Sequence, residues 1–278
     1  MSIFQAIILG VLQGIAEFLP ISSSGHLAVA QKLFGLSDVP LLFDVMLHLA
    51  TLAAVILYFR KKIARLFVIL FRWILRKPIQ TTDETDLLTG TDELGRKTIL
   101  SVIVATVVTG AIGVVTSKLI PEMPIKVTCA GFLFTACLLI FSSLWAKKHD
   151  KPLETKGISI FQALFIGFMQ GVGTLPGVSR SGSTIAGAQL AGVNRAAAGE
   201  FSFIVSIPAI LGAFVLEAKD LGEISSQIGV LPVFCGCLAA FAWGYLSLSI
   251  LMKLIRKGRL EWFACYLIPL GVFGLIFF

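Results

Sequence analysis

SIFQAIILGVLQGIAEFLPISSSGH (residues 2–26) recurs along the chain as SIFQALFIGFMQGVGTLPGVSRSGS (residues 159–183). The two segments align without gaps at an offset of 157 (159 − 2), and eleven of the 25 positions are identical. Shared apolar composition yields scattered identities. It does not yield SIFQA, QG and SxSG in register. Each copy is an apolar stretch interrupted at its centre by Pro, Gly and Ser, and neither half is long enough to cross about 30 Å of hydrocarbon as a helix. The pattern predicts two re-entrant helical hairpins, over 3–35 and 159–193. Irregular backbone at membrane depth is tolerated where it is buried in protein or lines a watery cavity.

The rest of the 278-residue chain fits that environment. It is 56% hydrophobic and 14% charged, with a mean hydropathy of +0.92. Soluble domains carry about 25% charged residues, so a soluble globular class is excluded. Apolar spans are readable at about 41–59, 97–118, 125–146, 198–217, 228–252 and 260–278. The net charge of +7 does not point to nucleic acid, because the basic residues gather in loops beside the spans. These loops hold Arg60 to Lys77, Lys147 to Lys156, and Lys253 to Arg259. Cytoplasmic loops carry such an excess. Placing all three inside gives six alternating spans, with both chain ends outside and Trp145 and Trp262 at interfaces. Within the first basic loop, Ile63 to Leu75 alternates basic and apolar residues at helical spacing and predicts an interfacial amphipathic helix. The acidic stretch Thr81–Glu93 predicts a loop.

The first twenty residues are apolar but lack a basic start and contain Gln5, Gln13 and Glu17, so no cleavable signal is expected. Cys129, Cys137, Cys235, Cys237 and Cys265 lie in apolar runs without metal-binding spacing and read as small core residues. The expected fold is therefore an all-α polytopic membrane protein, a single domain over 1–278 made of two repeats. Repeat one (1–146) and repeat two (159–278) are each a hairpin followed by three spans. Three is odd, so the second copy is expected to be inverted, bringing the hairpin tips together near the midplane.

The tips carry the chemistry. A helix restarting after Ser22–Gly25, and another after Ser179–Gly182, would aim free N–H groups and positive dipole ends at one point, a ready phosphate site. Ser22, Ser23, Ser24, Ser179, Ser181, Ser183 and Thr184 offer hydroxyls. The repeat symmetry breaks where Ser23 matches Arg180 and His26 matches Ser183. One tip thus supplies a candidate nucleophile with a candidate base three residues on. The other supplies a permanent cation, whose partner is a bound phosphate or Glu17. Gln13 and Glu17 are four apart on one helix face, oxygen donors suited to a divalent cation that bridges diphosphate oxygens. His48 and His149 read as ordinary core histidines. Asp44 and Glu200, at equivalent places in the repeats, read equally as helix-start carboxylates or as residues behind the site.

ILGVLQGIAEFLPISSSGH (8–26) resembles the (E/Q)xxxE and PxSSxGH segments of the undecaprenyl-diphosphate phosphatase family, also called the bacitracin-resistance protein family. PGVSRSGST (176–184) resembles its PGxSRSxxT motif. The resemblance covers essentially the whole chain. It implies hydrolysis of undecaprenyl diphosphate to undecaprenyl phosphate and inorganic phosphate, helped by Mg²⁺ or Ca²⁺, at a site facing the outside of the bacterial cytoplasmic membrane. It assigns Gln13 and Glu17 as the metal or acid–base pair, Ser23 as nucleophile, His26 as its catalytic partner and Arg180 as the phosphate clamp. Ser179 and Thr184 would be supporting contacts. This chain has Gln13 where some members have Glu, which leaves one carboxylate. His26 as the nucleophile stays open, as does a homodimer. The rival class is a polyprenyl-phosphate transporter, since facing broken helices also build transporters.

Overall fold

A computed structural model describes residues 1–36, 41–80, 86–119, 123–149, 157–217 and 229–277. The loops read around Pro121 and Asp220, the two lysines Lys151 and Lys156, and residues 81–85 of the acidic stretch lie outside them; the end of that stretch, Asp92 and Glu93, is helical where a loop was expected. The described residues form eleven α-helices and no strand: α1 (Ile3–Phe18), α2 (Ser23–Leu33), α3 (Leu41–Tyr58), α4 (Arg60–Ile74), α5 (Asp92–Leu119), α6 (Ile125–Lys148), α7 (Ile160–Val172), α8 (Arg180–Leu190), α9 (Arg195–Glu217), α10 (Val230–Arg256) and α11 (Ala264–Phe277). Five of them, α5, α6, α9, α10 and α11 with the short turn before it, are long and apolar enough to cross a membrane. α3 and α4, bent by 77° at Phe59, together make a sixth if the pair counts as one span. The protein is a multi-pass membrane protein.

The repeated segments fold alike where their sequences agree. Ser2 and Ser159 are both N-caps, each in a reciprocal capping box with the glutamine three residues on, Gln5 or Gln162. The second helices restart at matched positions, Ser23 and Arg180, and both run eleven residues. The first helices differ in length. α1 continues to Phe18, whereas α7 stops at Val172, three residues short of the matched position, because Gly173, Pro176 and Gly177 follow. Gly177 has φ +77°, and a Cβ there would lie 1.9 Å from the Thr128 carbonyl oxygen, so only glycine fits this turn against α6.

Each hairpin packs against the other repeat. α1 lies along α10, and α7 lies along α5. α3 packs on α10 and α5 on α9, while α6 meets α11. Such reciprocal exchange is what a two-fold relation between the repeats requires. In lipid, apolar side chains gain little by facing one another, so close backbone approach supplies the attraction. At Gly10 a Cβ would sit 2.1 Å from the Gly236 carbonyl oxygen of α10. The outer surface is correspondingly apolar, with Phe4, Phe161, Val107 and Val230 all exposed.

At the basic end, α4 is the predicted amphipathic helix. Its Phe67, Val68, Phe71 and Ile74 are exposed, while Arg65 and Arg72 reach the fully buried Asp92 at 2.8 and 3.0 Å. All five cysteines are free. Only Cys129 is a core residue. Cys235 and Cys237 are half-buried, and Cys137 and Cys265 lie on the apolar exterior, which a hydropathy pattern cannot distinguish from a core.

Candidate active site

α2 and α8 both begin at the rim of one cavity of about 440 Å³. Its polar wall includes Glu17, Ser23, Asp44, His48, Ser179 and Arg180, and its apolar wall includes Val45, Leu49, Ile210 and Phe214. A second cavity of about 600 Å³, between Lys97, Gln162 and Asn194, has no carboxylate among the described residues of its lining.

Glu17 is the hub. It occupies the last turn of α1, with its side chain 4% exposed. Its Oε1 accepts from the Arg180 guanidinium. Its Oε2 accepts from Ser23 Oγ at 2.6 Å and from Gln13 Nε2 at 3.1 Å, and His48 Nε2 lies 3.5 Å away. Removing one member of a buried ion pair leaves an uncompensated charge, so Glu17 and Arg180 hold one another across the two repeats. The internal pairing considered for Arg180 is thus present, and the guanidinium also lines the cavity. The first turns of α2 and α8 add positive dipole ends, and in α8 the Gly182 N–H is capped by Ser179 Oγ.

The residues singled out in the sequence separate into two sets. Glu17, Ser23, Ser24, Ser179 and Arg180 meet at the cavity. Ser181 and Thr184 instead face a small void with Ser202 and Ser206 on the other side of the Glu17–Arg180 pair. Thr184 Oγ1 donates to the Arg180 carbonyl at 2.7 Å. Gln13 is fully buried behind Glu17. Ser22 and His26 are buried and do not line the cavity. Ser23 and His26 are not paired: His26 Nδ1 lies 2.8 Å from the Ser22 carbonyl and Nε2 lies 2.7 Å from the Tyr266 hydroxyl. Spacing alone suggested the i,i+3 pair. The backbone at Ser22, with φ +70° and ψ 95°, turns Ser23 toward Glu17 instead. A non-glycine residue held there costs about 1–3 kcal/mol.

Asp44 and Glu200 also diverge. Asp44 accepts from Gln31 Nε2 at 3.0 Å inside the cavity. Glu200 pairs with Lys62 at 2.5 Å and Arg256 at 3.3 Å, away from it. His48 reads as core by sequence yet reaches the site. Its signal was the i,i+4 spacing to Asp44, which puts both on one face of α3. Tyr266, an aromatic within an apolar span, carried no signal.

For a divalent cation, the donors are the Glu17 carboxylate and Gln13 Oε1, a buried acceptor without a partner. Among the described residues no group of three or more His, Cys, Asp or Glu side chains could hold a metal. Gln13 does not line the cavity, so Glu17 is the only one of the two that reaches it.

Residues 6–273 match the family described as Bacitracin resistance protein BacA. The chain is 48% identical over 278 residues to a protein of Treponema denticola named undecaprenyl-diphosphatase, covering 100% of this chain and 98% of that one. It is 38% identical to a protein of the same name from Carboxydothermus hydrogenoformans, covering 98% and 96%. A third, from Borrelia recurrentis, is 35% identical, covering 100% and 98%. A match over nearly the entire chain places this protein in the bacitracin resistance protein BacA family.

Proposed function

We infer that the protein hydrolyses undecaprenyl diphosphate to undecaprenyl phosphate and inorganic phosphate, recycling the lipid carrier of cell-wall synthesis and giving bacitracin resistance. The observation that carries this reading is the Ser23–Glu17–Arg180 group at the cavity wall. It sets a hydroxyl 2.6 Å from a carboxylate, beside a guanidinium and two helix N-termini. A transporter needs the anion site but has no use for a hydroxyl held on a base.

The chain acts as one membrane domain of two inverted repeats in the bacterial cytoplasmic membrane, with the cavity open to the outer face. The prenyl tail lies against Val45, Leu49, Ile210 and Phe214, and the diphosphate enters the polar corner. Arg180 and the first turns of α2 and α8 bind its oxygens and stabilise the charge that develops in transfer. Ser23 Oγ attacks the terminal phosphorus in line, and its proton passes to Glu17. The bond from that phosphorus to the bridging oxygen breaks, and undecaprenyl phosphate leaves. Water then attacks the phosphoserine, releasing phosphate as Ser23 regains a proton. Glu17, with Gln13 buried behind it, would hold a Mg²⁺ or Ca²⁺ arriving with the substrate, which would neutralise phosphate charge.

The test is phosphate release from farnesyl or undecaprenyl diphosphate by purified protein in detergent. Turnover that needs Ser23 supports the reading. Wild-type protein that binds the lipid diphosphate but releases no phosphate contradicts it.

A further inference from the structure

The two copies of the repeat act as each other's control. In α8 the first turn closes normally: Ser179 is extended at φ −76°, its hydroxyl caps Gly182 N–H, and Ser183 N donates to Ser179 O at 2.8 Å. In α2 the matched turn is distorted. Ser22 has φ +70°, its side chain makes no cap bond, and the matched ladder bond, His26 N to Ser22 O, stretches to 3.3 Å. The short contact to that carbonyl comes from the imidazole, with Nδ1 at 2.8 Å. Ser183, the matched residue in the second copy, has a buried hydroxyl without any partner.

A carbonyl oxygen only accepts, so Nδ1 carries the hydrogen. In the neutral ring Nε2 then accepts, and the Tyr266 hydroxyl at 2.7 Å donates to it. The ring is further held between Phe132, with centroids 5.3 Å apart, and Tyr266, at 5.7 Å. Both nitrogens are engaged away from the cavity, and neither faces Ser23.

We propose that His26 and Tyr266 are positioning residues, not proton carriers: Tyr266, from α11 of the second repeat, fixes the imidazole, and the imidazole holds Ser22 in the left-handed turn that aims Ser23 at Glu17. The proposal rests on the phosphatase reading for its role in turnover, but its geometry stands independently. Asparagine at position 26 keeps a donor where Nδ1 sits and cannot act as a base.

The experiment compares His26→Asn, His26→Ala and Tyr266→Phe by kcat, KM and pH profile over about pH 5 to 9, the histidine range. His26→Asn should stay within about tenfold of wild type, and His26→Ala should lose about 10²-fold in kcat, the cost of a 1 Å misplacement. Tyr266→Phe should lose about 3- to 10-fold, as expected for one hydrogen bond. KM and the shape of the pH profile should not change. If His26→Asn is as inactive as His26→Ala, or its profile loses a limb that wild type shows, the proposal fails. ¹⁵N NMR of the histidine-labelled wild type reads the ring directly and needs no variant to fold. A neutral Nδ1–H ring supports the proposal, and an imidazolium or Nε2–H ring at working pH overturns it. Wild type without phosphatase activity would refute the phosphatase reading while leaving this tautomer measurement valid.

Discussion

Ser23 Oγ lies 2.6 Å from Glu17 Oε2, and the other oxygen of the same carboxylate holds Arg180. Ser23 opens α2 and Arg180 opens α8, at matched positions of the two repeats. The single carboxylate therefore joins a hydroxyl from one hairpin to a cation from the other. An arriving phosphate can take over Arg180, which leaves Glu17 freer to accept the Ser23 proton.

The ion pair predicts an unusual pattern of stability. Arg180→Ala strands a buried carboxylate and should destabilise the protein by about 3–5 kcal/mol. Adding Glu17→Gln removes the stranded charge and should recover most of that loss, while activity stays abolished. Thermal melts in detergent check this. A double variant no more stable than Arg180→Ala would contradict the pairing.

Gly177→Ala should be among the most damaging single methyl additions. It places a side chain at φ +77° and drives a Cβ against the Thr128 carbonyl. Both faults should together cost about 3 kcal/mol or more. Gly110→Ala on α5, where a Cβ meets nothing within 4 Å, is the control and should leave the melting temperature nearly unchanged.

Asp86, in the loop before α5, titrates in a predictable direction. Burial opposes its ionisation, but Lys62 at 2.8 Å and the Leu88 and Thr89 amides outweigh it and hold the carboxyl below its usual range. The folded pKa is lower than the unfolded one, so the stabilisation is fully present above about pH 3.9 and disappears as pH falls through the folded value. Asp86→Asn should therefore melt lower than wild type at neutral pH, and the gap should close in acid. A gap independent of pH would argue against the charge.

Much of the architecture was legible because it rests on local chemistry. The two hairpins follow from the repeat and its Pro, Gly and Ser breaks, and the amphipathic α4 follows from spacing along a helix. The bend at Phe59 was legible as well, since the span was read to end at 59, and Arg60, Lys61 and Lys62 separate it from the interfacial helix. The partners of Ser23 were misjudged for a definite reason. Helical spacing puts Ser23 and His26 on one face, but the left-handed Ser22 changes the direction in which α2 begins. His26 then meets Tyr266, 240 residues away. Long-range contacts of that kind, like the approach of His48 to Glu17, depend on how helices cross, and no periodicity records it.

The most direct test of the account is a double-mutant cycle on Ser23 and Glu17, read as kcat for phosphate release from undecaprenyl diphosphate. If Glu17 activates Ser23, Ser23→Ala and Glu17→Gln should each lose about 10²-fold or more, and the double variant should lose no more than the worse single one. Independent, multiplying losses, or a Ser23→Ala enzyme within about tenfold of wild type, well short of what general-base catalysis supplies, would contradict it.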